Sequence, residues 1–145
     1  MRKKETIAKI LKLKDNKKKE IEIKVREAHE RVDEEDSRLN ALQNDYNDRL
    51  NYFREAHKEG VFNARDVISH YEMLSHIDGK IKEQKRVNIE CENVLRSLET
   101  TLIEAHKDKK AIEILDDKIS RQEQKERALA DQKELDYLGV TRRMK

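Results

Sequence analysis

The sequence predicts an all-α protein, a long antiparallel two-helix coiled-coil hairpin whose second helix overhangs the first. Three observations carry this expectation. Apolar residues recur at heptad spacing through almost the whole chain. There is no proline, and Glu59-Gly60-Val61-Phe62-Asn63 is the one credible break in the pattern. With 44% of residues charged, 35% hydrophobic, four Tyr, two Phe and no Trp, the chain is too polar to wrap a globular core but apolar enough for one narrow stripe per helix. Disorder is the alternative for so polar a chain. The phasing of the apolar residues argues against it.

Helix one is expected over about 3–59. Steps of three and four residues trace Ile7, Leu11, Lys14, Lys18, Ile21, Val25, Ala28, Val32, Glu35, Leu39, Leu42, Tyr46, Arg49 and Phe53, and ten of these fourteen positions are apolar. Lys14, Lys18, Glu35 and Arg49 interrupt the seam, and such polar insertions fix register at some cost in stability.

The hinge, about 60–63, has its signals in the right order. Gly60 suits the left-handed conformation that ends a helix. Asn63 is placed to cap the next helix, with Asp66 three residues on as an acidic capping-box partner and Phe62 and Val67 as a hydrophobic staple. So short a connection makes the helices antiparallel neighbours, pairing residues whose numbers sum to roughly 122. Leu11 then falls near Ile112, Val25 near Leu98, Val32 near Glu90 or Cys91, and Tyr46 near Ile77.

Helix two is expected over about 64–138, with a short flexible tail at 139–145. Its seam reads Leu74, Ile77, Ile81, Gln84, Asn88, Cys91, Leu95, Leu98, Leu102, Ala105, Lys109, Ile112, Asp116 and Ile119, again ten apolar of fourteen. Beyond Ile112 the stripe drifts onto Leu115, Ile119, Gln122 and Leu129, as if a step were skipped. The seam passes Gly79 unbroken, so this glycine reads as helical. From about Gln122 onward helix one offers no partner, and a lone helix carrying Leu129, Ala130, Leu135, Tyr137 and Leu138 is marginal in water. This overhang is the segment expected to order on binding.

Charge is unevenly distributed. Residues 1–26 carry eleven Lys/Arg against four Asp/Glu, a net of +7, whereas residues 27–59 carry five against ten, a net of −5. One end is therefore basic and asks for an acidic partner. No catalytic or metal constellation emerges from His29, His57, His70, His76 and His106, which never stand at i,i+4, and there is no glycine-rich phosphate loop. Neither an enzyme nor a bound cofactor is expected. The only cysteine, Cys91, lies on the seam and reads as a small core residue. No apolar run is long enough to cross a bilayer, and Met-Arg-Lys-Lys-Glu lacks a signal peptide's apolar stretch. An intracellular protein is expected. RNA binding by the basic end is an alternative function, but no aromatic or arginine interleaves with the lysines to stack on bases, so nucleic acid is disfavoured. A plain structural coiled-coil adaptor is the other alternative.

The C-terminal third carries a family resemblance. Lys109-Lys110-Ala111-Ile112-Glu113-Ile114-Leu115 resembles the KK-x-[LI]-E-x-L segment of the flagellar export protein family FliJ. Asp131-Gln132-Lys133-Glu134-Leu135-Asp136 resembles that family's Q-K-x-L-D-E ending, with Tyr137 where an acidic residue is usual. Gly60 and Tyr71-x-x-Leu74 are also similar. The resemblance implies a stalk-like hairpin, similar to the central stalk of rotary ATP synthases. Such a stalk inserts its open end into a hexameric export ATPase, contacts a membrane export gate protein and handles export chaperones, cytoplasmic and peripheral to the inner face of the membrane. It implies ATPase contacts at Arg2, Lys3, Lys4, Lys9, Gln132, Leu135, Tyr137 and Leu138, and export-gate contacts at the hinge tip through Tyr46, Tyr52, Phe62 and Met73. A virulence-type secretion stalk of the YscO kind fits the same pattern.

Overall fold

In the computed structural model residues 2–58, 60 and 63–144 are described. They form two helices packed on each other as a hairpin, α1 (Arg2–Ala56) and α2 (Ala64–Met144). The seam is where the heptads put it. Every one of the fourteen expected α2 positions is buried or half-buried, and on α1 only Arg49 is exposed.

The turn follows from backbone chemistry. Gly60 takes φ of 76°, a left-handed value that costs an L side chain strain, and its amide donates to the His57 carbonyl at 3.2 Å. α1 therefore ends at Ala56 rather than near residue 59, because His57 and Lys58 already belong to the turn. Asn63 caps α2, its Oδ1 accepting the Arg65 amide at 3.1 Å while its carbonyl accepts the Val67 amide. The staple expected of Phe62 lies outside the described residues.

Two expectations about α2 are corrected. The seam does not drift onto Leu115, which is exposed; it continues through half-buried Asp116 to Ile119, and Gln122 and Leu129 are exposed. Holding the 3.5-residue period avoids the local overwinding that a skipped step demands, and the helix tolerates a half-buried carboxylate to do so. Nor does a tail begin at Gly139, since the helix runs to Met144. One glycine costs a helix only about 1 kcal/mol, no proline follows, and Arg142 and Arg143 in the last turn suit the negative end of the helix dipole.

The chain divides into two compact units. The first joins Met1–Ile21 to Thr101–Lys145, and its best-buried side chains are Ile7, Ile21 and Ala105. There Lys109 Nζ donates to Asp15 Oδ1 at 2.8 Å, and Lys14 Nζ lies 3.8 Å from Asp108 Oδ2. The second, Glu22–Thr100, contains the turn and buries Ile77, Ile81 and Cys91. Within it a polar layer interrupts the seam. Gln84 Nε2 donates to Glu35 Oε2 and, at 2.8 Å, to Asn88 Oδ1; Asn88 Nδ2 donates to Asp36 Oδ1 at 3.1 Å; Arg38 Nη1 donates to Glu35 Oε1 at 2.8 Å. Glu35 and Asn88 are buried, yet no buried side-chain polar atom among the described residues lacks a partner. Lys14 and Glu35, two of the seam's polar interruptions, each meet a polar group of α2 across it.

Two outcomes test this account. Gly79 is helical and a Cβ there meets nothing within 4 Å, so Gly79→Ala should stabilise the hairpin by about 0.5–1 kcal/mol, while Gly60→Ala should destabilise it by a similar amount or more; thermal unfolding reads both. Asn88→Ala should cost about 1–3 kcal/mol by orphaning its layer partners. Joint apolar replacement of Glu35, Gln84 and Asn88 should instead match or exceed wild-type stability in chemical denaturation.

Candidate partner-binding surfaces

At the open end, in the first unit, the basic start of α1 meets α2 along two shallow grooves. Arg2 and Lys3 line one with Ile119, Gln122, Glu123 and Glu126, and Lys4 lines the other with Glu5, Ala8, Glu123 and Arg127. Lys9 is exposed and belongs to neither. Every residue from Gln124 to Arg143 is exposed, and the grooves reach only as far as Arg127. Gln132, Leu135, Tyr137 and Leu138 lie on this uncovered stretch, with Leu135 at 68% and Tyr137 at 72% exposure. Leu135 and Leu138, three residues apart, share a side of the helix. The N-terminal cations and the C-terminal apolar group belong to one unit without sharing a groove, because the cations reach along α2 only as far as Arg127.

At the turn, in the second unit, Tyr52 and Met73 share a groove with Asp45, Asp48, Arg49, His70 and Leu74. Tyr46, in contrast, is half-buried at its seam position, and Phe62 lies outside the described residues. Sequence reasoning missed the histidines here. His70 stacks against Phe53 at 5.2 Å between ring centroids and lies 6.0 Å from Tyr52 and from His57; Phe53 and His57 stand 4.5 Å apart. The signal was present. Phe53 and His57 are four apart on one helix, and the pairing rule about the turn sets residue 70 opposite residue 52, next to Phe53. Exposed Ile68 and Tyr71 were missed as well, because they lie off the seam.

Among the described residues no group of three or more His, Cys, Asp or Glu is arranged to hold a metal ion, and no helix is long and apolar enough to cross a membrane.

Comparison with known protein families matches residues 3–142 to FliJ, described as the flagellar FliJ protein. The chain belongs to the FliJ family, which makes it a component of the flagellar export apparatus. No curated protein and no solved structure matches it.

The Asp15–Lys109 pair provides a pH test at the open end. The ammonium of Lys109, and then that of Lys19, hold the Asp15 carboxyl below its ordinary value of 3.8. Asp15, helped by Glu113, raises Lys109 above 10.5. The stabilisation from Asp15 is thus complete above pH 3.8 and disappears as pH falls through its lower folded value; that from Lys109 is complete below pH 10.5 and disappears as pH rises through its higher one. The melting temperature of Asp15→Asn should fall below wild type near neutrality, and the gap should close well below pH 3.8, as followed by helical circular dichroism.

Proposed function

We propose that the chain is the stalk of the flagellar export ATPase, inserted by its open end into the ATPase ring and stimulating hydrolysis there. The observation that carries the reading is the exposed α2 segment from Gln124 to Arg143, which beyond Arg127 lines no groove with α1 and leaves Leu129, Leu135, Tyr137 and Leu138 exposed. Exposed apolar groups on a long helix gain stability from a partner that wraps them. The cations Arg2, Lys3, Lys4 and Lys9 at the same end of the chain favour acidic pore loops and speed encounter. Gln132, Leu135, Tyr137 and Leu138 are the contacts on the α2 side. The mechanism is mechanical, since the hairpin transmits position between partners and performs no bond chemistry.

The turn supports a second contact. Tyr52 and Met73, exposed beside Asp45 and Asp48, offer an aromatic and sulfur surface with an acidic rim, suited to an export gate protein. Phe62 joins this proposal from its sequence position, and Tyr46 supports it from the seam beneath. Handling of export chaperones and peripheral placement on the cytoplasmic side of the membrane follow from the same reading, supported by family membership.

Hydrolysis by the export ATPase, measured with the full chain and with a chain lacking residues 123–145, tests the stalk. Stimulation should be lost on truncation, while helical content per residue of the remainder stays close to that of the intact hairpin, because the removed helix packs on little else. Full stimulation by the truncated chain would overturn the reading.

A further inference from the structure

Charged residues of α2 in the first unit are sorted by side. Several of its acids turn toward α1 or sit near it: Asp108 lies beside Lys14, Glu123 and Glu126 line the groove with Arg2 and Lys3, and Asp116 is half-buried on the seam, while Glu104 is exposed and exposed Asp117 pairs with Arg121. The lysine that points inward, Lys109, is held by Asp15 and Glu113. Arg127 lines a groove with Lys4, Glu5 and Ala8, whereas a further set of cations is exposed. Ile103, Lys107, Lys110, Ile114, Lys118 and Arg121, followed by Lys125, run along the helix in steps of 4, 3, 4, 4, 3 and 4, and all seven are exposed. No acid occupies any of these positions. Arg121 pairs with its neighbour Asp117 at 3.2 Å, whereas among the described residues Lys107, Lys110, Lys118 and Lys125 form no ion pair. Ile103 and Ile114 are 57% and 62% exposed.

The period of this stripe says what it fits. Its repeat is eleven residues, with 103, 114 and 125 in register, as are 107 with 118 and 110 with 121. Eleven residues make three turns of about 3.67 residues each, so the stripe stays nearly in line for about 33 Å along one side of the helix. The seam, at 3.5 residues, winds around it. A helical partner in a left-handed coiled coil needs the 3.5-residue period and mostly apolar positions, and only two of these seven are apolar. A flat polyanionic surface needs a straight row of cations whose stems reach outward and a few apolar groups to enter the interface. Clusters of four to eight Lys/Arg on an amphipathic helix have this property toward acidic headgroups.

We propose that the outer face of α2 over residues 103–125 is a contact surface for an anionic lipid bilayer. Lys107, Lys110, Lys118 and Lys125 meet headgroup phosphates, and Ile103 and Ile114 dip into the headgroup boundary while the helix lies along the surface. The site is distinct from the turn and shares only Lys125 with the overhang, and its test does not require an ATPase ring.

The test is co-sedimentation of the full chain with vesicles of phosphatidylglycerol and phosphatidylethanolamine, against vesicles of phosphatidylcholine alone, over a range of salt. Binding should be confined to the anionic vesicles and weaken steeply with salt. Lys107→Glu, Lys110→Glu and Lys118→Glu together should lower the partition coefficient at least tenfold. The milder triple change to Gln should lower it by less, with helicity retained. Lys24→Glu, Lys80→Glu and Lys85→Glu, an equal change in net charge elsewhere, should leave partitioning within about threefold of wild type, since the attraction is confined to a Debye length. Ile103→Ser with Ile114→Ser should weaken binding without changing its salt slope. Absence of binding to anionic vesicles at low salt, or equal losses from the two charge-reversed triples, would overturn the proposal. So would binding of polyglutamate or duplex DNA through this stripe by a chain that ignores the vesicles, which would assign the face to an acidic protein or to nucleic acid.

Discussion

A two-helix hairpin has one continuous contact line, and almost any apolar seam of regular period can slide along another by a heptad. Register must therefore be fixed by something that apolar packing alone does not provide. Here it is the pairing of buried polar atoms across the seam. Glu35, Gln84, Asn88 and Asp36 satisfy one another in a single alignment, and a slip by one heptad sets a buried carboxylate and two amides against hydrocarbon. An unmet buried polar group costs about 1–3 kcal/mol, a large share of the stability of a marginal fold. The layer adds less to stability than apolar side chains in its place. It makes one alignment the cheapest.

The same logic distributes the charges. In the first unit Asp15 sits between Lys109 across the seam and Lys19 on its own helix, and the acids of α2 lie beside the lysine-rich start of α1. Pairing inward draws Asp108, Glu123 and Glu126 toward α1 and, among the described residues, leaves Lys107, Lys110, Lys118 and Lys125 without ion pairs, while Arg121 keeps Asp117. The exposed positive face is thus a by-product of how the interior is charged, and the chain's small net charge of +2 gives no hint of it. The surfaces available to partners are set by which side of each helix a charge occupies, a property that composition averages away.

Much of this was legible in the sequence because a helix seam is a local periodic code. The turn at Gly60 and the cap at Asn63 were readable from residue type alone, since few residues accept a left-handed φ or satisfy a first-turn amide. Lys14 and Glu35 were recognisable as polar seam positions because they interrupt an otherwise apolar series. The reading failed where a local preference had to be weighed against continuity. Leu115 is more apolar than Asp116, yet the helix keeps its period and leaves the leucine in water. Gly139 is a helix breaker by propensity, yet nothing after it competes with helix. The histidines around Phe53 escaped notice because their significance lies in a contact between residues far apart in sequence. On the open end the residues were legible, but not their separation into basic grooves and an uncovered apolar helix.

The cross-helix contacts also order the making of the molecule in time. Glu35 bonds a residue 49 positions away and Asp15 one 94 positions away, so the span between partners widens steadily with distance from the turn. Closing the turn incurs most of the loop entropy once, and each later contact extends a closed strip of hairpin, as in a zipper. A ribosome emits α1 first, so Ile7 and Leu11 travel without their α2 partners until α2 has emerged beyond Ile112. For that interval the N-terminal seam is an apolar stripe among lysines, solubilised by the charges that flank it. The lysines that crowd the first turns thus keep the nascent helix apart from others like it before it has anything to fold against.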